Sequence, residues 1–534
     1  MDCTLAHENR EFVVKIAILT DAYNLPLWKI RIIEKLRSNK ALKLSLLKID
    51  SVKKRQYPLF WVYEALDYLL FSKTGKFKET TSEKDSQQKL NINTITPEIP
   101  TANPNSEVYD LLIDLSSTHD KSFYKQLSKI TKKGICFFSI GYKPGSYPEF
   151  FYEMFSGEPV IAIRLNITDG ERQRTLYRSY SGVYNFSLYL NKNKNCWKMS
   201  DFVNRSLTEI RDFQGFNDKD KQFSYGIQDS PAPSIMQQLK FIYITLSNLI
   251  NLKLLNTKCR QQWFLAYERT DKAERTKEFL STNSSNFRII TPPADKFFAD
   301  PFIITEKGKT YVFFEEFIYP KGKGVISYLE IDEKGRETQP KVVLERDYHL
   351  SYPFVFKHDD KYYMIPETLG NKTIELYKAV DFPGKWELQK ILFNNVNAVD
   401  TSLISYKGKF WLFTCMSDWG NGLSDELFIF YSDTLFGKWQ PHPKNPVISD
   451  TKTARPAGKP FFQGNALIRP SQENSVRYGY ALNFNRVDVL NEYDYKETLI
   501  KTIKPEFIED NLAIHTFNSN KFYNVIDGMK LIKK

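Results

Sequence analysis

The sequence predicts an α/β domain followed by an all-β five-bladed propeller. Strand-like and helix-like segments alternate over about the first 200 residues, which favours a parallel sheet. From about residue 262 onward, short aromatic and β-branched runs are separated by charged turns, and helical periodicity nearly vanishes. Within this second region one strand–turn–strand unit recurs at a nearly constant period, as the blades of a propeller do.

The α/β prediction depends on four apolar runs in the first part of the chain. They are KIAILTD (15–21), LKLSLLKID (42–50), YDLLIDL (109–115) and GICFFSI (134–140). Helical spacing from Leu25 to Leu36 separates the first two runs, as in a unit that joins parallel strands through a helix. Residues 73–106 are polar and contain three prolines, so we expect a long solvated loop there.

The propeller prediction depends on five repeated hairpin units. The anchor residues of these units are Asp300, Tyr352, Asp400, Arg455 and His515. They are 52, 48, 55 and 60 residues apart, which is the length of one four-stranded blade. A sandwich of irregular hairpins is the alternative, but a sandwich does not need the same unit five times.

Composition and charge exclude several classes of protein. The net charge of +12 is spread over both halves of the chain, and no basic-helix or finger spacing accompanies it, so nucleic acid is not an expected partner. Five cysteines without a C-x-x-C pair predict neither a disulfide framework nor a metal site. The opening strand and helix lack G-x-G-x-x-G, so NAD and FAD are not indicated, and we expect no cofactor.

The sequence favours a cytoplasmic protein. The N-terminus has no basic segment followed by an uninterrupted apolar stretch, as a signal peptide would. The most apolar later window, residues 235–255, is broken by polar and charged side chains. It predicts an amphipathic helix packed on a domain, with membrane contact that is at most peripheral.

The anchors predict a carbohydrate site in the central channel. The first strand of each blade lines the channel, so residues far apart in sequence converge there. Paired carboxylates are what glycoside hydrolysis needs, one as acid and one as base or nucleophile. The predicted catalytic residues are Asp300, Glu367 and Asp400, and the predicted substrate-binding residues are Tyr352, Arg455, His515 and Glu316. Turn chemistry at Asp-Pro and structural ion pairs are the alternative explanation of the same residues.

Residues 262–528 resemble a known propeller family. The motifs ADPF, HLSYPFVF, MIPET, AVDTSL and ARPAG are similar to those of the N-terminal domain of glucosamine inositolphosphorylceramide transferases and their bacterial relatives. That domain is itself similar to five-bladed glycosidases acting on arabinans, xylans and fructans. The resemblance implies that Asp300 corresponds to their first-blade catalytic aspartate. Tyr352 stands where a further acid would be expected, which leaves Glu367 and Asp400 for the remaining acidic roles.

The first 180 residues resemble a formyltransferase-like domain. KIAILTDAYNLPLWKIRIIEKL is similar to its opening strand and helix, and the segment from GICFFSI to NITDG is similar to its central part. The family uses an Asn-x-His pair after the central strand to polarise the formyl group and move a proton. This chain has Ser139-Ile140-Gly141 there. We therefore expect this domain to lack formyltransferase activity.

Two classes of function follow from the sequence. The first is an enzyme of glycoconjugate or surface-polysaccharide synthesis whose glycosidase-like propeller pocket binds or processes a sugar. The second is a non-catalytic glycan-binding or scaffold protein that works beside glycosyltransferases, and a formyltransferase-family sugar-modifying enzyme is a further alternative. The predicted division is a formyltransferase-like domain at 1–215, a helical linker at 216–260 and the propeller at 261–534.

Overall fold

The computed structural model divides the chain into two compact units. One contains residues 1–179 and 183–248, and the other contains 180–182 and 249–534. The described residues are 14–21, 25–49, 58–72, 95–96, 108–116, 121–141, 149–217, 219–223, 233–270, 280, 282–332, 334–417 and 422–534. The predicted boundaries after residues 215 and 260 stay predictions.

The first unit is built on a mixed, largely parallel eight-stranded sheet. Its strands are β1 (Val14–Thr20), β2 (Leu42–Lys48), β3 (Ile95–Thr96), β4 (Leu111–Asp114), β5 (Ile135–Ile140), β6 (Val160–Thr168), β7 (Arg172–Gly182) and β8 (Lys221–Gln222). Their spatial order is β3-β2-β1-β4-β5-β6-β7-β8. The first five strands pair in parallel, and β6 joins β5 antiparallel. The apolar runs of β1, β4 and β5 are almost wholly buried, as expected for strands covered on both faces.

Eight α-helices accompany this sheet in the described part of the chain. They are α1 (Leu27–Arg37), α2 (Pro58–Phe71), α3 (Lys121–Leu127), α4 (Phe151–Ser156), α5 (Leu188–Met199), α6 (Phe202–Arg205), α7 (Leu207–Asp212) and α8 (Ile235–Lys258). The parallel α/β fold predicted for this region is confirmed. The predicted polar loop at 73–106 lies outside the described residues, except for the two residues of β3.

The amphipathic helix predicted for residues 235–255 is α8. It buries Gln238, Phe241 and Thr245 and leaves the residues between them exposed or partly exposed, which is the pattern of a helix lying on a domain. Among the helices that the structure describes, none combines the length and the hydrophobicity needed to cross a bilayer.

The second unit is a five-bladed propeller, as predicted. The first blade contains β11 (Lys296–Glu306), β12 (Lys309–Ile318), β13 (Lys323–Ile331) and β14 (Lys341–Leu344), and the second contains β15 (Ser351–His358), β16 (Lys361–Thr368), β17 (Thr373–Asp381) and β18 (Lys385–Asn394). The third contains β19 (Ala398–Tyr406), β20 (Lys409–Met416), β21 (Glu426–Ser432), β22 (Gln440–Pro441) and β23 (Ile448–Ser449). The fourth contains β24 (Phe461–Gln463), β25 (Ala466–Glu473), β26 (Ala481–Leu490) and β27 (Tyr495–Ile503). Neighbouring strands within each blade pair antiparallel.

The fifth blade combines strands from both ends of the propeller region. It contains β9 (Cys259–Arg269), β10 (Phe287–Ile290), β28 (Phe517–Ser519) and β29 (Tyr523–Lys533), in the spatial order β10-β9-β29-β28. The pairing of β29 with β9 runs over eleven residues of each strand. The ring is therefore closed by backbone hydrogen bonds between its first strand and its last.

Candidate functional site

Three of the five anchors occupy the same irregular position in consecutive blades. In each of these blades the register between the first and second strands shifts at the anchor, namely at Asp300, Tyr352 and Asp400. The three backbones are left-handed, with φ of 54°, 45° and 52°. A bulge of this kind re-aims a side chain, and a non-glycine residue in this conformation costs about 1–3 kcal/mol. Such strain persists only where the surroundings impose it.

Carboxylates hold two of these strained backbones in place. The backbone N–H of Asp300 donates to Oδ2 of Asp527 at 3.0 Å, and the backbone N–H of Tyr352 donates to Oδ2 of Asp300 at 3.2 Å. The last blade thus fixes the anchor of the first blade, and the first fixes that of the second. The remaining anchors, Arg455 and His515, lie just before β24 and β28 rather than within those strands.

Asp400 and Arg455 form a buried ion pair between the third and fourth blades. Nε of Arg455 donates to one oxygen of Asp400 at 2.6 Å, and Nη2 donates to the other at 3.2 Å. The amide of Gln472 donates a third hydrogen bond to Asp400 at 2.8 Å. Fork-like pairing of this kind fixes the orientation of both groups. Burial opposes the charge of Arg455, but Asp400 outweighs it and the pKa of Arg455 lies well above its ordinary value.

Glu367 lies beside this pair with one oxygen unsatisfied. Its Oε2 is 3.7 Å from Nη2 of Arg455 and makes no hydrogen bond to any described group. Burial, followed by the neighbouring charge of Asp400, raises the pKa of Glu367 well above its ordinary value. This carboxyl group therefore holds a proton to higher pH than an ordinary glutamate, and it is poised to donate that proton.

Asp300 meets the fifth blade through Thr516 and His515. Its Oδ1 accepts a hydrogen bond from the hydroxyl of Thr516 at 2.8 Å and lies 3.8 Å from Nδ1 of His515. Burial raises the pKa of Asp300 to about 6, against the opposing charge of His515. Above that pH Asp300 can accept a proton or a hydroxyl hydrogen bond. Two carboxyl groups with raised pKa values in one cluster are the kind of pair that can divide the acid and base roles of one reaction.

His515 is ion-paired and sandwiched by aromatic rings. Its Nδ1 lies 2.6 Å from Oδ2 of Asp527, which is fully buried. Burial alone would lower the pKa of His515, but the charges of Asp527 and Asp300 outweigh burial and raise it. The imidazole stacks on Trp263 with ring centroids 4.1 Å apart, and Tyr478 meets its edge at 5.4 Å. The ring of Tyr478 also lies 5.0 Å from the guanidinium carbon of Arg455, which joins the two ion pairs into one cluster.

Tyr352 ties blades together through its hydroxyl group. The hydroxyl lies 2.8 Å from Oγ of Ser402 and accepts a hydrogen bond from the backbone N–H of Gly458 at 2.6 Å. Both partners belong to other blades, and the side chain is completely buried. The predicted substrate-binding role of Tyr352 stays a prediction, and its visible role is to brace three blades around the axis.

The sequence prediction named Glu316, but its neighbour Glu315 is the residue that faces the cluster. Glu316 pairs with Lys296 at 2.7 Å and accepts a hydrogen bond from Ser327 at 2.6 Å. Glu315 is buried, and its Oε1 is 3.5 Å from Nε2 of His349. Burial, with the charges of Asp300 and other cluster acids, raises the pKa of Glu315 well above its ordinary value.

Spacing from the anchor is the signal that would have found Glu315. Glu315 pairs with Ala299, and Glu367 pairs with Ser351. Each glutamate therefore lies opposite the residue that precedes an anchor, fifteen positions after Asp300 and Tyr352 respectively. Adjacent strand residues point to opposite faces, so a shift of one residue decides which glutamate reaches the axis. Asp527 was also missed, although it lies within β29, the same kind of second strand in the last unit.

Five carboxyl groups thus share the axis with one guanidinium and one imidazole. They are Asp300, Glu315, Glu367, Asp400 and Asp527, with Arg455 and His515. A metal ion could be held by Asp300, His515 and Asp527, because one ligand atom of each lies within 4.8 Å of the others. In the structure the His515–Asp527 ion pair already satisfies two of these three groups.

The propeller matches a known family model. Residues 285–529 match the model described as "Glucosamine inositolphosphorylceramide transferase 1, N-terminal". The resemblance predicted from the motifs is confirmed for this region. Proteins named glucosamine inositolphosphorylceramide transferase 1 are 35% identical over 207 residues in Oryza sativa subsp. japonica and 32% identical over 246 residues in Arabidopsis thaliana. These matches cover 38% and 43% of this chain but only 27% and 32% of the two transferases.

Solved structures similar to the chain include two glycosidases. An exo-1,5-α-L-arabinanase from a bovine ruminal metagenomic library has a TM-score of 0.32 and 17% identity, covering 45% of this chain and 94% of its own. The RS223 β-xylosidase has a TM-score of 0.33 and 13% identity, covering 45% of this chain and 93% of its own.

Proposed function

We propose that the chain is a carbohydrate-active protein of glycoconjugate or surface-polysaccharide synthesis, and that its propeller binds and processes a sugar at the axial cluster. The observation that carries this proposal is the buried set of carboxyl groups around Arg455 and His515, three of its anchors being held in strained backbone conformations. Burying several carboxyl groups costs free energy unless they are paired with cations, so such groups are kept where a function requires them. Glu367 shares Arg455 with Asp400, and Glu315 lies 3.5 Å from Nε2 of His349, whose pKa burial lowers, so simple structural pairing accounts poorly for these two glutamates.

The matched relatives support the sugar class. Their name describes transfer of glucosamine, a sugar, to the lipid inositolphosphorylceramide. Because the match covers about a third or less of each relative, we propose only that this propeller shares the recognition of a sugar-containing substrate with them.

Each residue has a proposed role in this reading. Asp300 is the base or the acceptor of a sugar hydroxyl, because its pKa of about 6 leaves it ionised near neutral pH. Glu367 is the acid, since its raised pKa keeps a proton available. Asp400 holds Arg455 in place, and Arg455 with His515 binds an anionic or hydroxyl-rich group of the substrate.

A binding and turnover screen on matched variants tests the proposal. The purified full chain is offered neutral sugars, amino sugars, uronic acids and sugar nucleotides, and affinity and product formation are measured separately. We expect Asp300→Asn to abolish turnover with little loss of affinity, because amide and carboxylate have the same shape. We expect Arg455→Lys to weaken affinity about tenfold or more, because lysine keeps the charge but loses the planar fork.

Glu316→Gln is the matched control. Glu316 is adjacent to Glu315 in sequence, but its partners are Lys296 and Ser327, so its loss should leave affinity and turnover unchanged. If Asp300→Asn and Arg455→Lys both retain the wild-type affinity and turnover while the proteins remain folded, the cluster is structural. The non-catalytic scaffold function, which the tight Asp400–Arg455 pairing favours, is then the better description.

For the first unit we propose a role other than formyl transfer. Ser139, which stands where the family has asparagine, is buried and its hydroxyl accepts a hydrogen bond from Asn166 at 2.9 Å. Asn166 in turn accepts one from Thr175 at 2.8 Å, so these groups satisfy one another across β5, β6 and β7. The likeness of this unit to formyltransferases stays a prediction.

A further inference from the structure

Helix α2 of the first unit exposes an almost entirely apolar surface. Its outward positions include Trp61, Leu66 and Leu69, of which Trp61 is 71% exposed and Leu69 is 70% exposed. The two charged residues of this helix are Glu64, which is partly exposed, and Asp67, which is buried. Large apolar side chains of ordinary surfaces are scattered singly, so a helix that exposes them in succession marks an interaction surface.

The N-terminal half of α8 has the same character. Met236 is 74% exposed and Tyr243 is 73% exposed, and Leu239 is nearly half exposed between them. These positions recur at intervals of three and four residues and so form one stripe along the helix. The opposite stripe, with Phe241 and Thr245, is buried.

Helix α2 and the N-terminal half of α8 are neighbours in the first unit. The ring of Phe241 on α8 lies 5.2 Å from Phe60 and 5.4 Å from Tyr63, both on α2. Their buried stripes therefore pack together, and their exposed stripes are turned away from the core. We call the exposed side chains the α2/α8 face; it comprises Trp61, Leu66, Leu69, Met236, Leu239 and Tyr243.

Charge indicates what covers this face. Helix α8 carries Lys240, Lys253 and Lys258 and contains no aspartate or glutamate. Lys240 is exposed within the apolar stripe, where its ammonium lies 5.3 Å from the ring of Phe155. A second copy of this helix would bring the same cations together, whereas a surface of anionic lipid headgroups would neutralise them. Trp and Tyr beside aliphatic side chains and lysine are the composition of helices that lie in a membrane interface.

We propose that the α2/α8 face binds the protein to the surface of a bilayer that contains anionic lipids. The aromatic and aliphatic side chains enter the boundary between headgroups and acyl chains, and Lys240 contacts the headgroup phosphates. The helices lie in the plane of the interface. This binding is independent of the sugar chemistry proposed for the propeller, so either can fail without the other.

Vesicle flotation of the full-length protein tests this inference. The vesicles are phosphatidylcholine alone or phosphatidylcholine with about one third phosphatidylglycerol, at low and at high salt. We expect the wild type to float with the anionic vesicles and to dissociate as salt rises. Tyr243→Glu should weaken binding at least about tenfold, since it removes apolar area that the bilayer would bury and adds a negative charge that anionic headgroups repel. Lys240→Glu should weaken binding about fivefold or more, and only to anionic vesicles.

Tyr493→Glu is the matched control. Tyr493 is 77% exposed in the propeller unit, so this variant replaces a similarly exposed tyrosine that lies outside the α2/α8 face. Met236→Glu is a second variant at an equally exposed site, should Tyr243→Glu fail to fold by circular dichroism. The proposal is overturned if the wild type does not float at low salt, or if Tyr493→Glu abolishes flotation as fully as Tyr243→Glu. It is also overturned if the protein forms a dimer that Tyr243→Glu dissociates and that does not bind vesicles.

Discussion

Replacing Arg455 by methionine should destabilise the propeller strongly. Methionine keeps much of the buried volume but leaves Asp400 without its two charge-assisted hydrogen bonds, at 2.6 and 3.2 Å. The amide of Gln472 still donates to that carboxylate at 2.8 Å, but it carries no charge. Removing one partner of a buried ion pair costs about 3–5 kcal/mol, because the other charge stays buried and uncompensated.

Differential scanning calorimetry measures this cost. A loss of 1 kcal/mol lowers the melting temperature of a domain of this size by about 2–4 °C, so we expect the propeller transition to fall by about 6–20 °C. The double variant Asp400→Asn/Arg455→Met should recover part of the loss, because it removes the orphaned charge. A decrease below about 2 °C for Arg455→Met, or no recovery in the double variant, would refute this account of the cluster.

Arg469→Met provides the comparison for this experiment. Arg469 is buried and pairs with Glu497 through two hydrogen bonds of 2.8 and 2.7 Å, within the fourth blade and away from the acids of the axis. Its replacement should lower the melting temperature of the propeller by a similar amount. In a sugar-binding assay below the melting temperature, however, only Arg455→Met should lose affinity.

Two further predictions concern the same cluster. Because the raised pKa values of Asp300 and Glu367 mean that the folded state binds protons more tightly than the unfolded chain, their contribution to stability is full at low pH and is lost as pH rises. The melting temperature of the propeller should therefore fall as the pH rises from 3.8, the ordinary pKa of aspartate, through about 6, the pKa of Asp300, and it should fall less in Asp300→Asn; an equal slope in both proteins would contradict this. Gly479→Ala should lower stability more than Gly464→Ala, measured by the same calorimetry. Both glycines have positive φ, but only at Gly479 would a Cβ meet His515, at 2.9 Å, so equal losses would show that backbone strain alone is responsible.

Much of the fold could be predicted because the pattern of hydrophobic residues determines it. The anchor-hairpin unit recurs five times, and closed rings of blades bring such units to a common axis, so the convergence of Asp300, Asp400 and Arg455 followed from spacing alone. The alternating strands and helix of the first region likewise predicted a parallel sheet. These inferences need only periodicity, which a single sequence displays.

The details of the site could not be predicted in the same way. Whether Glu315 or Glu316 faces the axis depends on the register opposite the bulge at Asp300, and the bulge is a backbone feature that the sequence shows only as Asp-Pro. The pairing of His515 with Asp527 requires the three-dimensional path of the last hairpin. Tyr352 illustrates the same limit, because its hydroxyl is satisfied by Ser402 and Gly458 from two other blades.

Because the fifth blade contains strands from both ends of the region, the ionic cluster is the last part of the propeller to be completed during synthesis. Strand β9 is synthesised first and cannot pair with β29 until the end of the propeller region has been synthesised. His515 and Asp527 arrive with that same final segment, so ring closure and completion of the ionic cluster are one event. A nascent or prematurely terminated chain would consequently present unpaired strand edges and an acid-rich channel without its imidazole. Chaperones and proteases could recognise these edges, and surveillance of protein quality would thereby also screen for an intact site.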